Sequence, residues 1–173
     1  MKFSMIVRIT FLIWIVIFTV FFQITVEACV ICFPYPKTTL ADRLLKSESV
    51  VMAREKIGKP YSFTSIEVFK KSINGNDVKA YIDSTSRRKL KHNPKDVVVL
   101  VRQPKDADWQ DWQYIAYANI EYQIFIRAIL KQSSAWKGIN GKDRRIAFFA
   151  EHITDSNPLI REQAYLEVGR APY

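Results

Sequence analysis

Two cysteines carry the only thiols of the chain, set as C-x-x-C in the stretch Cys29-Val30-Ile31-Cys32-Phe33-Pro34-Tyr35-Pro36. A dithiol at this spacing can close on itself, trade with another dithiol, or supply half of a metal site. A redox site of the thioredoxin kind places the pair at a helix N-terminus after a strand, which lowers the thiolate pKa. Here Pro34 and Pro36 follow and impose an extended segment. A structural zinc needs four ligands. No second C-x-x-C exists, and the two histidines, His92 and His152, are far apart in sequence. Three uses of Cys29 and Cys32 stay open: a local disulfide or free thiols, thiol-disulfide exchange, and metal handling.

The remaining candidates point to binding rather than turnover. The sequence contains no P-loop, dinucleotide glycines, H-E-x-x-H or G-x-S-x-G. The expectation is a non-enzymatic protein that needs no cofactor. His92 falls in a basic stretch, and His152 near a helix C-terminus complements the helix dipole. The densest charge run is Ser86-Arg87-Arg88-Lys89-Leu90-Lys91-His92-Asn93-Pro94-Lys95. Arg87, Arg88, Lys89, Lys91 and Lys95 form a candidate basic patch for phosphates or a lipid surface, to be weighed against a solvated loop or helical turn between strands. No aromatic residue interleaves the run to stack a base, which argues against nucleic acid.

Charge and targeting set the frame for these residues. The chain carries 26 Lys and Arg against 17 Asp and Glu, a net +9. Lys2 and Arg8 precede the apolar run Ile9 to Phe22, and Val26 and Ala28 are small residues placed for cleavage before Cys29. This is the layout of a secretory signal over residues 1–28. The alternative is an uncleaved N-terminal anchor, which would attach the protein to a membrane. Acylation at Cys29 ranks last, because Glu27 stands where a lipobox has a small residue. Removal of residues 1–28 leaves 24 positive and 16 negative groups, still +8. The expected location is periplasmic or secreted, and the expected partner is a protein or an anionic envelope surface.

Periodicity assigns the elements. A threonine of the pair Thr38-Thr39 caps a short helix with Leu40, Leu44 and Leu45 at helical spacing. Strands are expected at Ser49–Ile57 and Tyr61–Lys70, joined through Gly58-Lys59-Pro60, and at Val78–Asp83. In the second strand Tyr61, Phe63 and Phe69 fall on one face and Ile66 and Val68 on the other. The run Asp96–Arg102 is apolar on both faces and therefore interior, and Trp109–Ala118 pairs with it. Trp112, Tyr114 and Tyr117 suit core packing better than a ligand platform. Asn119 caps a helix from Ile120 to Gln132, with Ile120, Ile124 and Ala128 on one line and Tyr122, Phe125 and Ile129 on another. After a linker come a helix Asp143–Ile153, with Ile146, Phe149, Ala150 and Ile153 as its buried stripe, and a helix from Leu159 to Val168, capped by Asn157 and ended by Gly169.

Five short strands with helices before and after make an OB-like pattern. Cys29 at the presumed mature N-terminus, the prolines after it, the opening strand Ser47-Glu48-Ser49-Val50-Val51-Met52-Ala53 and Ile66-Glu67-Val68-Phe69-Lys70 resemble the netrin-like module, the OB-type fold of the tissue inhibitors of metalloproteinases. The resemblance implies a netrin-like/OB-like domain over residues 29–134. In those inhibitors the N-terminal cysteine chelates the protease zinc, a role that could pass only to Cys29. The family opens C-x-C and ties that segment to internal cysteines, whereas this chain has C-x-x-C and no others. The stretch Asp155-Ser156-Asn157-Pro158-Leu159-Ile160-Arg161-Glu162-Gln163-Ala164 resembles the turn of a HEAT repeat. That likeness implies a HEAT-like hairpin over residues 143–170, in which Asp155, Pro158 and Arg161 are structural. The layout as a whole resembles that of exported bacterial proteins whose activity is uncharacterised. The expected fold is α+β: a small OB-like (netrin-like) antiparallel β-barrel with flanking helices, plus a C-terminal α-helical hairpin. The expected function is an exported binding module with a basic surface, with thiol exchange or metal handling as the alternative and protease inhibition a remote third.

Overall fold

A computed structural model describes residues 38–70, 77–104 and 111–170. The chain divides into two units, Met1–Pro34 and Tyr35–Tyr173, and every described residue lies in the second. The described part is mixed α+β.

Helix α1, Leu40–Lys46, starts on a capping box. The Thr39 hydroxyl accepts from the Asp42 amide and the Asp42 carboxylate accepts from the Thr39 amide, each at 3.2 Å. Its C-terminal carbonyls are satisfied from far along the chain. The Lys70 ammonium donates to the carbonyls of Leu44 (2.8 Å), Leu45 (2.7 Å) and Ser47 (3.1 Å), where the helix dipole also favours a cation. Leu40 and Leu44 turn inward.

Five strands form one antiparallel sheet in the order β3-β2-β1-β4-β5. They are β1 Ser49–Lys56, β2 Lys59–Lys70, β3 Asp77–Lys79, β4 Val97–Arg102 and β5 Gln113–Ala118. Gly58, at φ 74°, makes the β1–β2 turn in a conformation that suits glycine. Strand β1 is the middle strand. Val50 and Met52 enter one core, and Val51 and Ala53 enter another on the opposite face. Strand β4 behaves in the same way, Val97, Val99 and Val101 facing one core and Val98 and Leu100 the other.

Two expectations about the strands are corrected. Phe63 and Phe69 do not share a face. The register runs Val50↔Lys70, Val51↔Val68, Met52↔Glu67, Ala53↔Ser65, so Phe69 and Ile66 are each extra residues in β2. A bulge inserts one residue and reverses the alternation beyond it. Phe63 accordingly joins Val51 and Ala53, while Phe69 packs on the opposite core. Nor does the sheet close into a barrel: among the described residues β3 and β5 are edges that do not pair with each other. The predicted third strand fails after Lys79, and the chain turns so that Asp83 can cap the next helix, leaving too little strand to reach β5.

That helix, α2 Ser84–His92, covers one face of the sheet. Its Leu90 packs with Phe63, Val78, Ile82, Val98 and Leu100. The opposite face is covered by α1, α3 Ile120–Gln132, α4 Gly141–Ala150 and α5 Pro158–Val168. In α3 the line Tyr122, Phe125, Ile129, together with Ile126, is buried, whereas Ile120 and Ile124 are exposed. One helix face meets the sheet, and Arg127 from the outer side forms a bidentate pair with Glu67 of β2. In α4 the inward residue is Phe149, Ile146 and Ile153 are half-buried and Ala150 is exposed, and the helix ends at Ala150, short of Ile153.

An isolated helical hairpin cannot bury its own apolar face. Here Phe149 and Ile160 enter the core beneath α1 and α3, and Phe125 meets Phe148 and Phe149 at ring separations of 5.9 Å. A polar knot seals the same seam. The Arg145 guanidinium bridges Asp42 (2.9 Å) and Glu167 (2.7 Å), and Arg170 donates to the other Asp42 oxygen at 2.6 Å. Asn157 accepts from the Leu159 amide and donates to Glu121, tying the start of α5 to that of α3. Within the α4–α5 turn the Asp155 carboxylate accepts from the Asn157 amide, and the Asp155 carbonyl accepts from Arg161 at 2.7 Å. Pro158 occupies the first turn of α5.

Candidate functional site

The basic run is a nine-residue helix, and its period sorts the charges. Asp83 caps it, accepting from the Ser86 amide at 2.8 Å and the Ser86 hydroxyl at 2.6 Å. Ser86 and Leu90, four residues apart, face the sheet. Arg87 is held inward: its Nε pairs with Glu55 of β1 at 2.9 Å, and its guanidinium lies 4.8 Å from the Tyr61 ring centre. That hydrogen bond to Glu55 raises the Arg87 pKa. Lys89 lies 5.2 Å from the ring centre of Tyr117. Arg88, Lys91 and His92 point outward, and Lys95 follows on the exposed turn after the helix. Among the described residues Arg88, Lys91 and Lys95 have no carboxylate partner. The predicted patch is therefore two populations, cations braced on the sheet and cations presented to the outside.

The tyrosines beneath α2 are anchored in the fold. Tyr114 bonds Ser86 at 2.8 Å, and Tyr117 donates to the buried Asp96. Burial, reinforced by Asp96, pushes Tyr117 up to about 12. Both are neutral donors over the ordinary pH range.

Besides a concavity of about 890 Å³ at Lys89, Asp96 and Tyr117, two others flank this layer. The first is an open groove of about 1090 Å³ between the edges β3 and β5, lined by Tyr61, Tyr81, Trp112, Tyr114 and Arg43. Tyr61 and Tyr81 stack at 5.5 Å, and Tyr61 sits at φ 59°, a left-handed conformation costly for a tyrosine, with its backbone N–H donating a hydrogen bond to the Glu55 carboxylate at 2.8 Å. The second is a cleft of about 470 Å³ between the β1–β2 turn and α2. Among the described residues Arg54, Lys56, Lys59, Arg87 and Lys91 line it with one carboxylate, Glu55, and Leu90, Pro60 and Pro94 form its apolar part. Lys56 is paired with Asp77. The Nε of Arg54 is buried and has no hydrogen-bond partner among the described residues. At the rim Ile57 is fully exposed.

The sequence reading missed the second cleft. Arg54, Lys56 and Lys59 lie twenty-five or more residues from α2 and read as ordinary strand and turn charges. One signal was present, the apolar Ile57 at a glycine turn with a lysine on each side. Cys29 and Cys32 lie outside the described residues. Among the described residues no three His, Cys, Asp or Glu converge on a point where a metal ion would sit. His152 packs edge-on against Phe125 at 5.0 Å and faces Asp155 at 3.3 Å, while His92 is exposed. No described helix is long and apolar enough to cross a membrane. No family model, no curated protein and no solved structure matches the chain.

Proposed function

We propose that the protein is a non-enzymatic docking module that works outside the cytoplasm and attaches to an anionic lipid surface through the face formed by α2 and the β1–β2 turn. The observation that carries this reading is the outward set Arg88, Lys91 and Lys95, free of carboxylate partners among the described residues, beside a fully exposed Ile57 flanked by Lys56 and Lys59. Basic residues near an anionic leaflet each add attraction, and an apolar tip adds burial that charge alone does not provide. An exposed isoleucine at a turn has no role in the fold's own cores.

The rest of the molecule serves as a rigid carrier. The strand order, with α2 between β3 and β4, supports reading the sheet as an opened barrel of OB type. The bonds among Asp155, Asn157 and Arg161 support a HEAT-like turn in the hairpin. The test is cosedimentation of the full chain with vesicles of phosphatidylcholine alone and of phosphatidylcholine with phosphatidylglycerol. The anionic lipid is expected to raise binding, salt to reverse that gain, and Arg88→Glu with Lys95→Glu to remove most of it. Equal binding to both vesicles by the unaltered protein refutes the reading, and retention on an acidic protein in place of lipid would move the same face to a protein partner.

A further inference from the structure

The groove between β3 and β5 contains none of the outward set Arg88, Lys91 and Lys95, and we propose that it binds a neutral saccharide whose rings stack on its aromatic side chains. An exposed aromatic pair is the first observation. Tyr61 and Tyr81 are 40% and 75% exposed, yet their rings stack at 5.5 Å with planes 19° apart. Neither belongs to a core cluster of the described residues, so core packing does not account for the pair. Trp112 and Tyr114, half-buried against one core, line the same groove. Tyr61 also carries the strained φ of 59°, and such strain clusters where a ligand is held.

The polar lining selects among ligands that could stack there. Arg43 and Lys79 are balanced by Asp83 and Asp111, so the groove has no net charge with which to favour an ion. Two of its rings already carry cations: the Arg87 guanidinium lies 4.8 Å from the Tyr61 ring centre and that of Arg102 5.4 Å from the Trp112 ring centre. A proline-rich segment fits aromatic grooves, but proline has no N–H and offers nothing to the two carboxylates. Hydroxyls both donate and accept. They therefore match the carboxylates, the Gln113 amide and the cationic donors together, while the flat C–H face of a pyranose packs on a ring. The volume of about 1090 Å³ equals that of the largest ordinary small-molecule clefts, about 1,000 Å³, which leaves room for more than one sugar ring.

The test titrates the full chain with cellotetraose and chitotetraose, neutral chains of all-equatorial rings, and with octaproline, following the Trp112 indole N–H resonance and the heat of binding. Expected are a saturable shift with at least one saccharide and none with octaproline. Tyr81→Ala should lose affinity by about 3- to 10-fold, Tyr81→Phe, which keeps the ring, should bind like the parent, and Asp111→Asn should weaken binding. Both positions are exposed, and unaltered unfolding midpoints exclude misfolding. Arg88→Glu with Lys95→Glu should leave saccharide binding unchanged, so the lipid reading and the saccharide proposal fail by separate results. No saturable shift with either saccharide overturns the proposal, and so does binding that Tyr81→Ala leaves intact. A shift with octaproline alone would overturn it in favour of a proline-rich peptide.

Discussion

Replacing Asp42 by Asn tests how the α4–α5 hairpin is held. Burial alone would raise the pKa of this carboxyl, but hydrogen bonds from Arg170, Arg145 and the Thr39 amide more than offset that and hold it at about 2 instead of 3.8. The folded state thus binds the proton more weakly than the unfolded chain does. The stabilisation is complete above the unfolded carboxylate pKa and disappears as pH falls from about 4 to about 2. A shift of nearly two units corresponds to about 2 kcal/mol, and the Asp42 side chain, 11% exposed, is little screened by solvent. Asn preserves shape and can still accept from the Thr39 amide, so the comparison isolates the charge. Urea unfolding followed by tryptophan fluorescence should place Asp42→Asn about 2 kcal/mol below the parent at neutral pH, with the difference closing toward zero near pH 2. A difference that stays constant across the acid range, or one under about 0.5 kcal/mol at neutral pH, would refute the claim that the knot stabilises through the Asp42 charge.

Two further substitutions probe the same seam. Phe149→Ala removes a fully buried ring shared by the sheet core and the hairpin, and calorimetry should report a loss of about 3–5 kcal/mol, with a loss under about 1 kcal/mol excluding hairpin docking through that residue. Gly141→Ala would place its Cβ 2.0 Å from the Trp136 carbonyl oxygen, a backbone contact that cannot swing aside, so the start of α4 must shift. The expected result is a lowered unfolding midpoint and a changed Trp136 fluorescence, and an unchanged midpoint would show that this turn is not packed as described.

Local rules explain why most element positions could be read from the chain. The Thr39, Asn119 and Asn157 caps, the Gly58 turn and the doubly apolar run Val97–Val101 each act through neighbours within a few residues. Helix α2 was harder, because its inward side consists of only Ser86 and Leu90, and its start depends on Asp83, which looked like the end of a strand. The bulges at Ile66 and Phe69 left no local mark, since a bulge is defined by the partner strand. Of the candidate site, the five basic residues of the α2 run were visible as composition. Their division into braced and presented groups followed only from the helical period together with Glu55, Tyr61 and Tyr117 of the sheet.

The sequence by itself determined the inventory: an apolar leader-like segment, one cysteine pair, a large positive excess, five strand-like runs and a capped C-terminal hairpin. Only the tertiary structure decided that the sheet stays open among the described residues, that Arg145 joins Asp42 to Glu167 across α1, α4 and α5, and that Lys59, Arg87 and Lys91 come to line one cleft. Propensity and capping are energies of adjacent residues, which a linear reading can sum. Strand closure, long-range ion pairs and the convergence of charges depend on which distant segments the cores bring together, and no local pattern encodes that.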